Sequence, residues 1–388
     1  MIKTADDWYK EGNSLDMAGN KQEALNCLDK AIELDPNHRN ALHVKALVLQ
    51  SIGQQDEALT FFDRAISVNP DFPIVYFDKG NSLCYTGKFI EAIECFDKVI
   101  SFDPNMMMAH YTKGLTFYAL KKYPEAILCF DKAIALDPNY PDAYGHKGNA
   151  LLELRKYEEA IEIYDIAIAL DPIFAIPYNG KGYCLASMGK QKEALPYYDK
   201  ALSLHPEFLI VYNNKGNALT DLGNGQEAIA LYDQALALDP NSALTYTNKG
   251  FVLALIGKKQ EAIECYDKAI SLDPNYFDAY NNKATVLSEL GRKEEAVEYF
   301  DKALALSPNF VLAYNNKGYE LDQLGRYQEA IENFDRAIAL KPNFAEAYNN
   351  KGNVYLHQGI WDKAIECYYK TLELSPTYSR ALNNIRLC

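Results

Sequence analysis

Six histidines, eight cysteines and a regular series of acids and lysines are the side chains of this 388-residue chain that could do chemistry. Metal binding needs ligands gathered at short spacings, such as two histidines on one helix turn or paired CxxC thiols. His38, His43, His110, His146, His205 and His357 are scattered singly, and no two cysteines are spaced as CxxC. Neither a metal site nor a cofactor is expected. Phosphate chemistry finds no better footing. Gly87, Gly189 and Gly257 are each followed by lysine, but then by Phe89, Gln191 and Lys259, where a P-loop needs serine or threonine. The GNGQEA stretch from Gly223 has a dinucleotide-type spacing without a strand before it. All four glycines read as turn residues.

The remaining titratable groups recur at long intervals, and that interval belongs to the architecture. Eleven prolines, Pro36, Pro70, Pro104, Pro138, Pro172, Pro206, Pro240, Pro274, Pro308, Pro342 and Pro376, stand 34 residues apart without a slip. A constant period without insertions means one supersecondary unit stacked on itself, each copy burying a face it could not bury alone. With the residue 31 before each proline as position 1, repeats start at Ala5, Arg39, Pro73, Met107, Pro141, Ala175, Leu209, Ala243, Phe277, Val311 and Ala345. In repeat ten, Tyr314, Gly318 and Leu321 share one helical face, and Ala330, Phe334, Ala337 and Ile338 share another. Gly325 stops the first helix and Pro342 forbids continuation of the second. The unit is a helical hairpin and the fold class all-α.

In this register Asp and Glu at positions 25 and 19 read as single acids on a solvated face, which leaves no paired acid and base for catalysis. No enzyme is expected. Five cysteines (Cys27, Cys95, Cys129, Cys265, Cys367) share position 23. Equivalent atoms of stacked helices stand roughly 8–10 Å apart or more, beyond disulfide reach, so buried or half-buried thiols are expected. The net charge of −14, with 39 bases spread evenly among 53 acids, argues against a nucleic-acid surface. No apolar run reaches membrane-spanning length, and MIKTADDWYK lacks the apolar stretch of a secretory signal. A cytoplasmic address is the expectation.

Position 4 carries Trp8 or, in most repeats, tyrosine; position 8 carries glycine or alanine; position 11 leucine or an aromatic; position 20 alanine in all eleven; position 24 phenylalanine or tyrosine from repeat two onward; position 32 proline. This pattern resembles the tetratricopeptide repeat over residues 5–378, as a single solenoid. The resemblance implies an α-solenoid of stacked antiparallel hairpins forming a right-handed superhelix, with the first helices lining a concave groove. Residues 379–388 resemble part of a further first helix, a partial C-terminal cap.

Positions 2, 5, 6, 9 and 13 of the first helix point away from the hairpin core, and by the resemblance they face that groove. Position 6 is asparagine in six successive units (Asn214, Asn248, Asn282, Asn316, Asn350, Asn384). Amides offer uncharged donors and an acceptor, which suits a peptide main chain; ladders of this kind bind extended peptides in some relatives. The other reading is that these amides bond to one another, and Asn179, Asn213, Asn281, Asn315, Asn349 and Asn383 at position 5 widen that possibility. Position 9 alternates between polar and large apolar residues with period 68. The i, i+7 pairs Met108/Leu115, Ile176/Tyr183, Leu244/Phe251 and Leu312/Tyr319 then place apolar patches on every second repeat. Phe77, Tyr111 and Tyr118 extend the apolar set in the first half.

Lysine fills position 7 in ten successive repeats, Lys45 to Lys351, at the core boundary, where a long stem covers apolar surface and the ammonium reaches water. Positions 2 and 5 carry no lysine or arginine in the eleven repeats, which disfavours the clamp by which related repeats hold the acidic tails of Hsp70 and Hsp90. The expected function is a non-catalytic scaffold for protein or extended peptide. Alternatives are a structural module that self-associates end to end, and the targeting portion of a larger protein.

Overall fold

A computed structural model describes residues 3–386; Leu387 and Cys388, the end of the expected cap, lie outside the described residues. Among the described residues there are 23 α-helices and no strand, packed as successive antiparallel hairpins in an all-α solenoid. The first helix of each hairpin starts at the residue the proline register designates, from Ala5 to Ala345. A last short helix spans Ser379–Ile385. The chain divides into two compact units, one ending at Leu204 and the other starting at His205.

Each hairpin closes through position 8 against position 24. A Cβ added to Gly148 would sit 2.4 Å from Cε1 of Tyr164, and one on Gly216 would sit 2.6 Å from the Tyr232 ring. The ring at position 24 thus lies flat on the first helix's backbone, and Tyr164, Tyr232, Phe96, Phe130 and Phe334 are fully buried. The helix-propensity cost of about 1 kcal/mol per glycine is offset by that ring burial, about 1.5–3 kcal/mol per aromatic side chain.

The turns follow the same register. Gly87, Gly189, Gly223 and Gly257 have φ of 74°, 79°, 81° and 84°, so all four act as turn residues. At the first, the Lys88 N–H donates to the Leu83 carbonyl at 2.9 Å, closing the helix end. Lys121 and Arg155 hold the same left-handed backbone without being glycine (φ 58° and 59°). The prolines have a further role between hairpins. The position-4 tyrosine of the next repeat donates to the proline carbonyl, as in Tyr144 to Pro138 (3.2 Å), Tyr178 to Pro172 (3.2 Å), Tyr212 to Pro206 (2.9 Å) and Tyr280 to Pro274 (3.2 Å).

Candidate functional site

The acids at position 25 are not the solvated singles expected from sequence. Each pairs with the position-7 lysine of the following repeat: Asp63 with Lys79 at 2.6 Å, Asp131 with Lys147 at 2.7 Å and Asp233 with Lys249 at 2.6 Å, and likewise Asp29 with Lys45, Asp97 with Lys113 and Asp267 with Lys283. The lysine stems are mostly buried, so they do cover the core boundary, and the ammonium is neutralised there. Burial pulls the Lys79 ammonium down, but the Asp63 hydrogen bond and charge outweigh it and hold the group above its usual value. Position 23 sits beside this pair. Where it is aromatic the ammonium lies over the ring, 4.2 Å from the Tyr299 centroid for Lys283. Where it is cysteine the thiol is driven up by burial, to about 11 in Cys95, Cys129 and Cys367. The seven described cysteines are free thiols, and these three are poor nucleophiles at neutral pH.

The exposed face of the first helices carries the apolar pairs and the asparagine ladder, while a cavity of about 560 Å³ lies against the second helix of the last hairpin beside Tyr355, Lys363 and Tyr369. In the first unit, Met108 and Tyr183 are exposed, while Leu115 and Ile176 are half-buried. Asn81, Tyr85, Thr112 and Leu115 line a cavity of about 540 Å³ there. Tyr111 belongs instead to the core, packed on Phe130 and Ala143, and is no ligand anchor. Phe77 likewise turns inward on Phe96, with ring centroids 5.9 Å apart.

In the second unit the apolar pairs stand in the open: Leu244, Phe251, Leu312 and Tyr319 are 47%, 48%, 51% and 48% exposed. Between them runs the first helix of repeat nine, Phe277–Glu289, whose exposed stripe is polar. Phe251 and Leu255 face Asn282, Thr285 and Glu289 across a pocket of about 300 Å³.

The asparagine ladder lies wholly in this second unit and is largely engaged with itself. The position-6 amide reaches back one repeat: Asn248 Nδ2 donates to Asn213 Oδ1 at 3.0 Å and Asn350 Nδ2 to Asn315 Oδ1 at 3.1 Å. The buried position-5 amide reaches forward within its own repeat, as in Asn281 to Asn282 (3.2 Å), Asn315 to Asn316 (3.4 Å) and Asn349 to Asn350 (3.3 Å). Asn384 donates to Asn353 at 2.8 Å, and Asn214 is also engaged. Among the described residues, Asn282 and Asn316 have no acceptor for their Nδ2, so these two keep it wholly free.

One part of the 68-residue alternation has a structural cause that sequence reasoning missed. In repeats five, seven and eleven the position-9 asparagine accepts the hydroxyl of the position-24 tyrosine: Tyr164 to Asn149 (2.7 Å), Tyr232 to Asn217 (2.8 Å) and Tyr368 to Asn353 (2.9 Å). The signal was tyrosine at position 24 together with asparagine at position 9 of the same repeat.

Matches to tetratricopeptide repeat family models run through the chain, over residues 5–38, 40–72, 73–106, 146–207, 207–275, 265–298, 299–332 and 345–378, with further matches to a TPR repeat model at 114–154 and 318–359. No curated protein matches it by sequence. Among solved structures it is similar to a chain of the APC/C hetero-tetramer Cut9-Hcn1, with 16% identity over 100% of this chain and 96% of that one and a TM-score of 0.56. It is also similar to yeast Tom70, with 17% identity over 99% and 94% and a TM-score of 0.54. YrrB, a TPR protein with an unusual peptide-binding site, shares 28% identity over 49% of this chain and 97% of that one, with a TM-score of 0.41. The family matches, the 34-residue register and the hairpin stack together make this chain a member of the tetratricopeptide repeat family.

Proposed function

We propose that the protein is a non-catalytic scaffold that binds an extended peptide segment of a partner along the exposed first-helix face of repeats seven to eleven. The observation that carries this reading is the half-exposed apolar quartet Leu244, Phe251, Leu312 and Tyr319 beside the unengaged donors of Asn282 and Asn316. Half-exposed apolar side chains at helical spacing present desolvatable surface to a partner, and a free amide N–H donates to a main-chain carbonyl whatever the peptide's sequence. Position-6 amides already engaged elsewhere then act as the frame that orients those two. A cytoplasmic setting is part of the proposal, consistent with buried thiols at one register in successive repeats.

Fluorescence anisotropy of labelled unstructured peptides tests the reading. The double variant Asn282→Ala, Asn316→Ala is expected to weaken a bound peptide roughly thirtyfold, from about 1 kcal/mol net for each hydrogen bond. Unchanged affinity would remove the amides from the site.

A further inference from the structure

The exposed stripes of repeats eight, nine and ten differ in chemistry, and the difference specifies a ligand. On repeat nine, Asp278, Asn282, Thr285 and Glu289 stand at i, i+4, i+7 and i+11, one continuous face of the helix. Repeat eight offers Leu244, Phe251 and Leu255 at i, i+7 and i+11 of the equivalent face. Repeat ten offers Leu312 and Tyr319. The pocket of about 300 Å³ between repeats eight and nine therefore has unlike walls, with Phe251 and Leu255 on one side and Asn282, Thr285 and Glu289 on the other.

Fixed charge on the first-helix stripe is acidic: positions 2, 5, 6, 9 and 13 of repeats seven to eleven carry no lysine or arginine, but they carry Asp221, Asp278, Glu289 and Glu346, with Asp322 buried behind them. Asp322 is held by His357 at 2.9 Å, and Glu289 meets Lys259 at 3.1 Å from the pocket's edge. Asp278 is half-buried and, among the described residues, has neither a hydrogen-bond donor nor a cation as partner. Burial alone raises its carboxyl. It stands outside the pocket, at the start of the helix whose other end carries Glu289.

Resting on the peptide-binding reading above, we propose that the pocket between repeats eight and nine is a subsite for a lysine or arginine side chain of an extended peptide, flanked by apolar side chains seated on repeats eight and ten. The stem of such a side chain lies on Phe251 and Leu255, and its cationic end reaches Glu289, which it shares with Lys259. Successive helices pack roughly 10 Å apart, and a polyproline II segment advances about 9 Å in three residues, presenting every third side chain to the same surface. The ligand is thus a peptide with apolar and basic residues alternating at every third position, and not an acidic tail.

Three labelled peptides of about fifteen residues in polyproline II spacing make the test. All carry leucine at every sixth position; the residue midway is lysine, serine or glutamate. The lysine peptide is expected to bind at least about tenfold tighter than the serine peptide, and the glutamate peptide more weakly than either. Salt is expected to erode the lysine preference as surface charges are screened. Glu289→Gln is expected to bring the lysine peptide to within about threefold of the serine peptide. Equal binding of lysine and serine peptides, or a lysine preference that survives Glu289→Gln, overturns the basic subsite and leaves peptide binding standing. If none of the three peptides binds, the peptide-binding reading fails with it.

Discussion

Replacing Phe251 and Tyr319 by serine removes the aromatic side chains exposed on the first-helix face of repeats eight and ten. Each is 48% exposed in the free protein, so about half of its burial energy remains to be gained on binding. Complete burial of such a side chain is worth about 2 kcal/mol, which leaves about 1 kcal/mol per residue for the complex. The two sites lie two repeats apart and share no contact, so their effects are additive. The double variant is expected to lose about 2 kcal/mol of affinity, roughly thirtyfold in Kd. Anisotropy titration with a peptide that binds the parent protein measures this directly. Folding also loses part of the buried half of each ring, so far-UV circular dichroism and a guanidinium melt accompany the titration to show the variant native at the assay temperature. Affinity within twofold of the parent, with the fold intact, would refute the assignment of these patches to the ligand surface.

Two stability predictions follow from the hairpin core and its one anomaly. Gly148→Ala gains about 1 kcal/mol of helix propensity but drives a methyl into Tyr164, whose hydroxyl is fixed by Asn149, at an overpacking cost of about 1–3 kcal/mol; a net loss is expected in a chemical melt. Gly12→Ala meets Cγ of Leu28 at 2.9 Å and the Ala24 carbonyl oxygen at 3.2 Å, looser than the 2.4 Å approach at Gly148, and is expected to cost less; an equal or larger loss at Gly12 would contradict the packing argument. Glu320 is 3% exposed and bonded to Ser288 (2.6 Å) where other repeats bury Val252, Val286 or Val354. Glu320→Val with Ser288→Ala, which removes both partners of that bond, is expected to stabilise the second unit by about 1–2 kcal/mol, and a lower melting midpoint would show that the carboxylate has a partner of greater worth.

The register of the fold was legible because proline, glycine and alanine act locally. Pro342 ends a helix wherever it stands, and alanine at position 20 reports close approach whichever hairpin it is in. The site was less legible, because pairings between helices depend on azimuth and not on spacing along the chain. Lys79 and Asp63 are 16 residues apart on helices of different hairpins, and nothing local distinguishes Asp63 from a solvated acid. A signal did exist. Aspartate fills position 25 in repeats one to ten and lysine fills position 7 in repeats two to eleven. The exceptions, Glu11 and Tyr369, fall where a pairing partner is lacking. The ladder posed the harder problem, since Asn350 and Asn316 are the same residue at the same position. Only the bond from Asn350 to Asn315 separates an engaged amide from a free one.

The central claim is that a partner peptide lies on the first-helix face of repeats seven to eleven. Photo-cross-linking locates it most directly, with a benzophenone placed midway along the bound peptide and the adducts mapped by mass spectrometry. The account predicts adducts on Leu244, Phe251, Leu255, Leu312 and Tyr319 and their neighbours on the same helices. Adducts concentrated on the second helices, for example at Tyr369 or Lys370, with the first-helix face unlabelled, would contradict it.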